Sequence, residues 1–78
     1  MINSAIYIET VSGVLRRKFG EIRHAPKLIA AMAGCTPRSV ENWMDGSNGP
    51  RGPELLRLCQ EIPEMFEEIN RLVKDRSL

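Results

Sequence analysis

The stretch Pro26 to Asp45, PKLIAAMAGCTPRSVENWMD, decides the fold, because its apolar residues change helical register across a single glycine, Gly34. Leu28, Ile29 and Ala33 recur at helical spacing before that glycine, and Val40, Trp43 and Met44 do so after it. Gly34 is suited to the positive φ that ends a helix in a sharp turn. Thr36 then supplies a hydroxyl N-cap, and Pro37 fits the first helical position, where no backbone N–H is required. Residues 26–45 are therefore expected to form two short helices joined by a tight turn.

On the N-terminal side, Asn3 or Ser4 can cap a helix running to about Phe19, with Ile8, Val11, Leu15 and Phe19 on one face and Gly20 as its stop. Gly13 inside it costs about 1 kcal/mol relative to alanine, so a later onset near Thr10 is the alternative. The link EIRH, residues 21–24, is expected to plug the core with Ile22. On the C-terminal side, DGSNGPRGP (residues 45–53) holds three glycines and two prolines and reads as an exposed loop. Pro53 then opens a fourth helix with Leu55, Leu58, Cys59 and Ile62 inward. Pro63 opens a fifth, over about 63–75, with Met65, Phe66, Ile69, Leu72 and Val73 on one side. No stretch has the alternation of a half-buried strand, apart from a few ambiguous residues in MINSAIYIET. The expected architecture is one compact all-α domain of five helices, the size at which a single core is only marginally stable.

The 78 residues carry a net charge of +1, unevenly spread. Residues 1–52 hold seven basic and four acidic side chains, a balance of +3, and residues 53–78 hold four basic and six acidic, a balance of −2. Such asymmetry fits a basic side that faces a polyanion and a more acidic far side. The longest apolar run, LIAAMAGC, is far short of the roughly 20 residues that span a bilayer, and no basic segment precedes an apolar one at the N-terminus. A cytoplasmic chain with no membrane contact is expected. Cys35 and Cys59, with one histidine and no CxxC spacing, are expected to be reduced, buried thiols without a metal. No nucleophile–base pair or phosphate-binding glycine loop points to an enzyme, a cofactor or a small-molecule substrate.

These residues resemble the lambda-repressor and Cro-like helix-turn-helix DNA-binding family. Ala30 stands four positions before the turn glycine, where that family places a small residue. Val40 and Trp43 stand six and nine positions after it, in the family's apolar places. The downstream pattern W-x-x-G-x-x-x-P-x-x-x-x-L-x-x-L-[small] is met by Trp43, Gly46, Pro50, Leu55, Leu58 and Cys59, and the match covers about residues 6–62. The chain departs from the family where glutamines often open the two helices: Pro26 stands at the first place, and no amide is found around Thr36 and Pro37.

The resemblance implies that the second helix of the pair reads double-stranded DNA, with Thr36 at its start and Arg38, Ser39, Glu41 and Asn42 toward the groove. Arg38 is suited to guanine O6 and N7, Asn42 to adenine and Glu41 to cytosine N4. Lys27 replaces the missing glutamine as a phosphate contact, and Ser47, Asn48 and Arg51 form a loop that meets the DNA backbone. An ordinary solvated surface is the competing reading of each. Trp43 belongs to the core, and the Arg16–Arg17–Lys18 run serves as helix-terminal charge, with phosphate contact as the rival role. The expected function is a phage or mobile-element repressor that binds an inverted repeat as a homodimer through its last helix, with closure of the core as the rival role of that helix. The alternatives are a protein-interaction module on the same scaffold, or an antitoxin or excision accessory factor.

Overall fold

The computed structural model describes residues 3–75. Five helices follow one another: α1 (Ser4–Phe19), α2 (Ala25–Ala33), α3 (Pro37–Asp45), α4 (Gly52–Glu61) and α5 (Pro63–Lys74). No strand occurs among the described residues. The chain is thus the all-α domain that its periodicity predicts.

The principal packing runs as a closed ring. α1 meets α3, α3 meets α2, α2 meets α4, α4 meets α5, and α5 returns to α1. Inside it lie Val11, Val14, Leu15, Ile29, Val40, Trp43, Leu58, Ile62 and Met65, all buried. The small residues Ala25, Ala30 and Ala33 are buried on α2, which lets α3 approach it closely.

Helix boundaries follow local chemistry. The Asn3 side chain accepts from the Ile6 N–H at 2.9 Å and starts α1, which continues unbroken through Gly13 rather than beginning near Thr10. Burial of Val11, Val14 and Leu15 around that glycine outweighs its intrinsic cost of about 1 kcal/mol. Gly20 ends α1 with φ −59°, so no left-handed residue is used there. Helices α4 and α5 meet at Ile62, whose extended backbone serves both as the end of one and the start of the other.

Two expectations about burial, at Ile22 and at the two cysteines, need correction, and the apolar residues of α2 and α5 divide between core and surface. Ile22 does not plug the core but is 45% exposed. Bonds from Ile22 N–H to Phe19 O and from Ala25 N–H to Ile22 O wind the link into a turn with Ile22 on its rim, and Ala25 takes the buried place. Leu28 is exposed because the buried stripe of α2 runs through Ala25, Ile29, Ala30 and Ala33, a quarter-turn away. The apolar face of α5 splits: Met65 is buried and Ile69 half-buried, while Phe66 and Val73 are 57% and 68% exposed. Cys35 and Cys59 are free thiols, but half-buried at the core's edge rather than enclosed. Burial raises both thiol pKa values, and the Glu54 charge adds to the effect at Cys35.

Candidate nucleic-acid interface

The turn between α2 and α3 is built by its glycine. Gly34 has φ 75°, and both its N–H and that of Cys35 donate to Ala30 O, at 2.8 and 3.1 Å. Arg57 of α4 donates Nη1 to Ala33 O at 3.1 Å, closing another free carbonyl of α2. Thr36 Oγ1 then accepts from the Ser39 N–H at 3.3 Å and caps α3, as its position before Pro37 predicts.

Helix α3 ends in a left-handed glycine turn. Gly46 has φ 83°, its N–H donates to Trp43 O, and the Ser47 N–H donates to Asn42 O at 2.9 Å. Two donors from α1 reach the same end: Ser12 Oγ and Arg16 Nε bond Met44 O at 3.1 and 2.7 Å. Asp45 receives the Ser47 N–H and hydroxyl on Oδ1. Those two bonds, with smaller help from the Arg38 and Arg16 charges, hold its carboxyl below the usual range despite a small opposing cost of burial.

With Val40 and Trp43 inward, α3 turns Arg38, Glu41 and Asp45 to solvent, and Asn42 is half-buried beside them. Arg38 Nη1 lies 3.4 Å from Glu41 Oε1. Such an exposed pair three residues apart is worth no more than about 0.5 kcal/mol. A bidentate contact to guanine discriminates by about 1–3 kcal/mol, so the intramolecular pair does not hold Arg38 back from a base.

Thr36, Ser39, Asn48 and Arg51 border one polar cleft, together with Gly34, Cys35, Trp43, Gly49 and Glu54. Four of the nine expected site residues thus converge between the turn, α3 and the loop before α4. Glu54 Oε1 accepts the Arg51 N–H at 3.0 Å, which starts α4 and leaves the Arg51 guanidinium without an ion pair among the described residues. Arg38, Glu41 and Asn42 form the adjoining stripe of α3. Lys27 is exposed near the start of α2, apart from the cleft, and Ser47 commits its N–H and hydroxyl to Asp45. Among the described residues no three His, Cys, Asp or Glu side chains gather into a metal-binding group.

Sequence reading passed over the residues that hold this surface in place: Tyr7, Ser12 and Arg57. Tyr7 Oη donates to Pro50 O at 2.6 Å. Its only sequence signal is a place four residues before Val11 on the buried stripe of α1. The basic run at the end of α1 is engaged in tertiary contacts. Arg16 bonds Met44 O, and Arg17 donates Nε and Nη2 to Glu64 Oε2 at 2.9 and 2.6 Å, with Lys18 at 3.9 Å from the same carboxylate.

No protein-family model, curated protein or solved structure matches the chain.

Proposed function

We propose that this chain is a sequence-specific DNA-binding transcriptional regulator that lays α3 in the major groove. The observation that carries the reading is the juxtaposition on one side of the fold: an exposed Arg38–Glu41–Asn42 stripe beside a cleft bordered by Thr36, Ser39, Asn48 and Arg51. The stripe supplies donors and acceptors matched to base edges, and the cleft supplies hydroxyl, amide and guanidinium groups matched to phosphate oxygens. Lys27 adds a point charge at the start of α2. The resemblance to lambda-repressor and Cro-like domains supports the same docking and a cytoplasmic phage or mobile-element repressor.

One nine-residue helix makes few base contacts, so useful specificity calls for two copies on half-sites one helical turn apart. The exposed Phe66 and Val73, seven positions apart and so on one side of α5, are the proposed pairing surface. A second reading, a protein-interaction module, is favoured by Glu41 and Asp45 on α3, which repel phosphate, and by the net charge of +1.

Selection of a pooled random duplex library at near-physiological salt separates the two. Recovery of an inverted repeat, with preference at one position relaxed by Arg38→Ala, supports the regulator. Recovery of no motif, with no salt-dependent retention, refutes it in favour of the interaction module.

A further inference from the structure

We propose that Tyr7 is a positioning residue for DNA-backbone contact: it seats residues 48–50 on α1, so that Asn48 and Arg51 face phosphate together with Thr36 and Ser39. This rests on the DNA-binding reading and deepens it.

Residues 48–50 lie between the glycine turn that ends α3 and the cap that starts α4, and they have no regular structure of their own. Among the described residues, the bond from Tyr7 Oη to Pro50 O, at 2.6 Å, is the one hydrogen bond that ties them to the rest of the fold. The ring does as much as the hydroxyl. A Cβ added at Gly49 would stand 2.7 Å from Tyr7 Cε2 and 3.2 Å from Cδ2, so the loop backbone lies close against the Cδ2–Cε2 edge of the ring. Only glycine permits that approach. Pro50, which supplies the acceptor, is itself buried.

The two residues that flank this seat, Asn48 and Arg51, both border the cleft, and their side chains form no ion pair among the described residues. Tyr7 is not among the residues that border that cleft, and it touches the loop beside it at Gly49 and Pro50. A loop ordered before DNA arrives loses less conformational freedom on binding, and its cation is already placed. Burial, then the charges of Cys59 and Glu54, push the Tyr7 phenol up to about 12, so it remains a donor throughout the neutral and moderately alkaline range.

Non-specific affinity reports phosphate contacts without knowledge of an operator. The test is titration of a short mixed-sequence duplex with the wild type, Tyr7→Phe, Arg51→Ala and the double variant, at salt from about 50 to about 200 mM. Tyr7→Phe is expected to unfold cooperatively yet bind about threefold to tenfold more weakly, equivalent to about 0.7–1.4 kcal/mol. Its salt slope should flatten by roughly 0.9 for each phosphate that the displaced loop no longer neutralises. In the Arg51→Ala background the same change should alter affinity less than about twofold, because the cation it positions is gone.

A Tyr7→Phe variant with lowered Tm but unchanged affinity and slope overturns the proposal, as do effects of Tyr7→Phe and Arg51→Ala that simply multiply. Wild-type protein that does not bind the duplex overturns the DNA-binding reading itself, and this role with it. Should Tyr7→Phe fail to fold, Gly49→Ala, which lifts the loop from the ring, is read by the same titration with the same expected loss.

Discussion

Alanine substitutions at Gly34 and Gly46 provide a matched test of the two turns that bracket α3. Both glycines have positive φ, 75° and 83°, so each alanine meets the same backbone penalty of about 1–2 kcal/mol. Their surroundings differ. A Cβ at Gly46 meets nothing within 4 Å, whereas one at Gly34 would stand 2.7 Å from Arg57 Nη1. Arg57 must then move, and its 3.1 Å bond to Ala33 O breaks. Gly34→Ala should therefore lose about 0.5–1.5 kcal/mol more than Gly46→Ala, the net worth of a typical hydrogen bond. The difference corresponds to roughly 2–12 °C in Tm for a domain of this size, at about 4–8 °C per kcal/mol.

Urea unfolding followed by the fluorescence of Trp43, the single tryptophan, measures both losses in one assay. Repeating Gly34→Ala in an Arg57→Ala background removes the obstruction, and its cost should fall to that of Gly46→Ala. Equal losses for the two single variants, or an undiminished Gly34→Ala loss without Arg57, would refute the assignment of Arg57 as the clasp of the turn.

Three further outcomes follow from burial and charge. Trp43→Ala removes a side chain only 2% exposed and should cost about 3–5 kcal/mol, enough to unfold most of so small a domain by circular dichroism. A cooperative transition near the wild-type midpoint would contradict its place in the core. Phe66→Lys should leave the chain folded, because that ring is 57% exposed, and should abolish concentration-dependent association in sedimentation experiments if α5 pairs two copies. Unfolding of that variant would show the ring to be needed for the core. Tyr7 is the only tyrosine, so alkaline absorbance titration reads its phenol directly. With a folded pKa of about 12 against an unfolded value of about 10, its contribution to stability should be complete below about pH 10 and fade as pH rises toward 12. Tyr7→Phe should narrow its stability deficit over that interval, and an unperturbed phenol titration would sink the argument.

Much of the architecture is legible in the sequence because the forces that write it are short-ranged. Helical spacing around Gly34, the Thr36–Pro37 start of α3 and the Pro53 and Pro63 openings act within a few residues, so the five helices can be read in order. The side-chain chemistry of Arg38, Asn42, Asn48 and Arg51 can likewise be read from residue type alone. Which of these groups meet, and which apolar residues go inward, depends on how the helices close into a ring. Ile22, Leu28 and Phe66 are apolar and sit near the inward stripes, yet each faces water because a neighbour takes the core position. Their sequence carries no mark of that choice.

The ties that place the candidate interface span far greater separations. Tyr7 bonds Pro50 across 43 positions, Arg16 bonds Met44 across 28, and Arg57 bonds Ala33 across 24. Each is a side chain donating to a backbone carbonyl, an acceptor that every residue possesses, so no pattern of residue types announces the pairing. The sequence by itself determined the helices, their caps and the chemical groups offered on α3. Only the tertiary structure decided that α1 holds the C-terminal end of α3 and the following loop, and that α4 holds the end of α2, because those contacts exist only once the buried faces of distant helices have met.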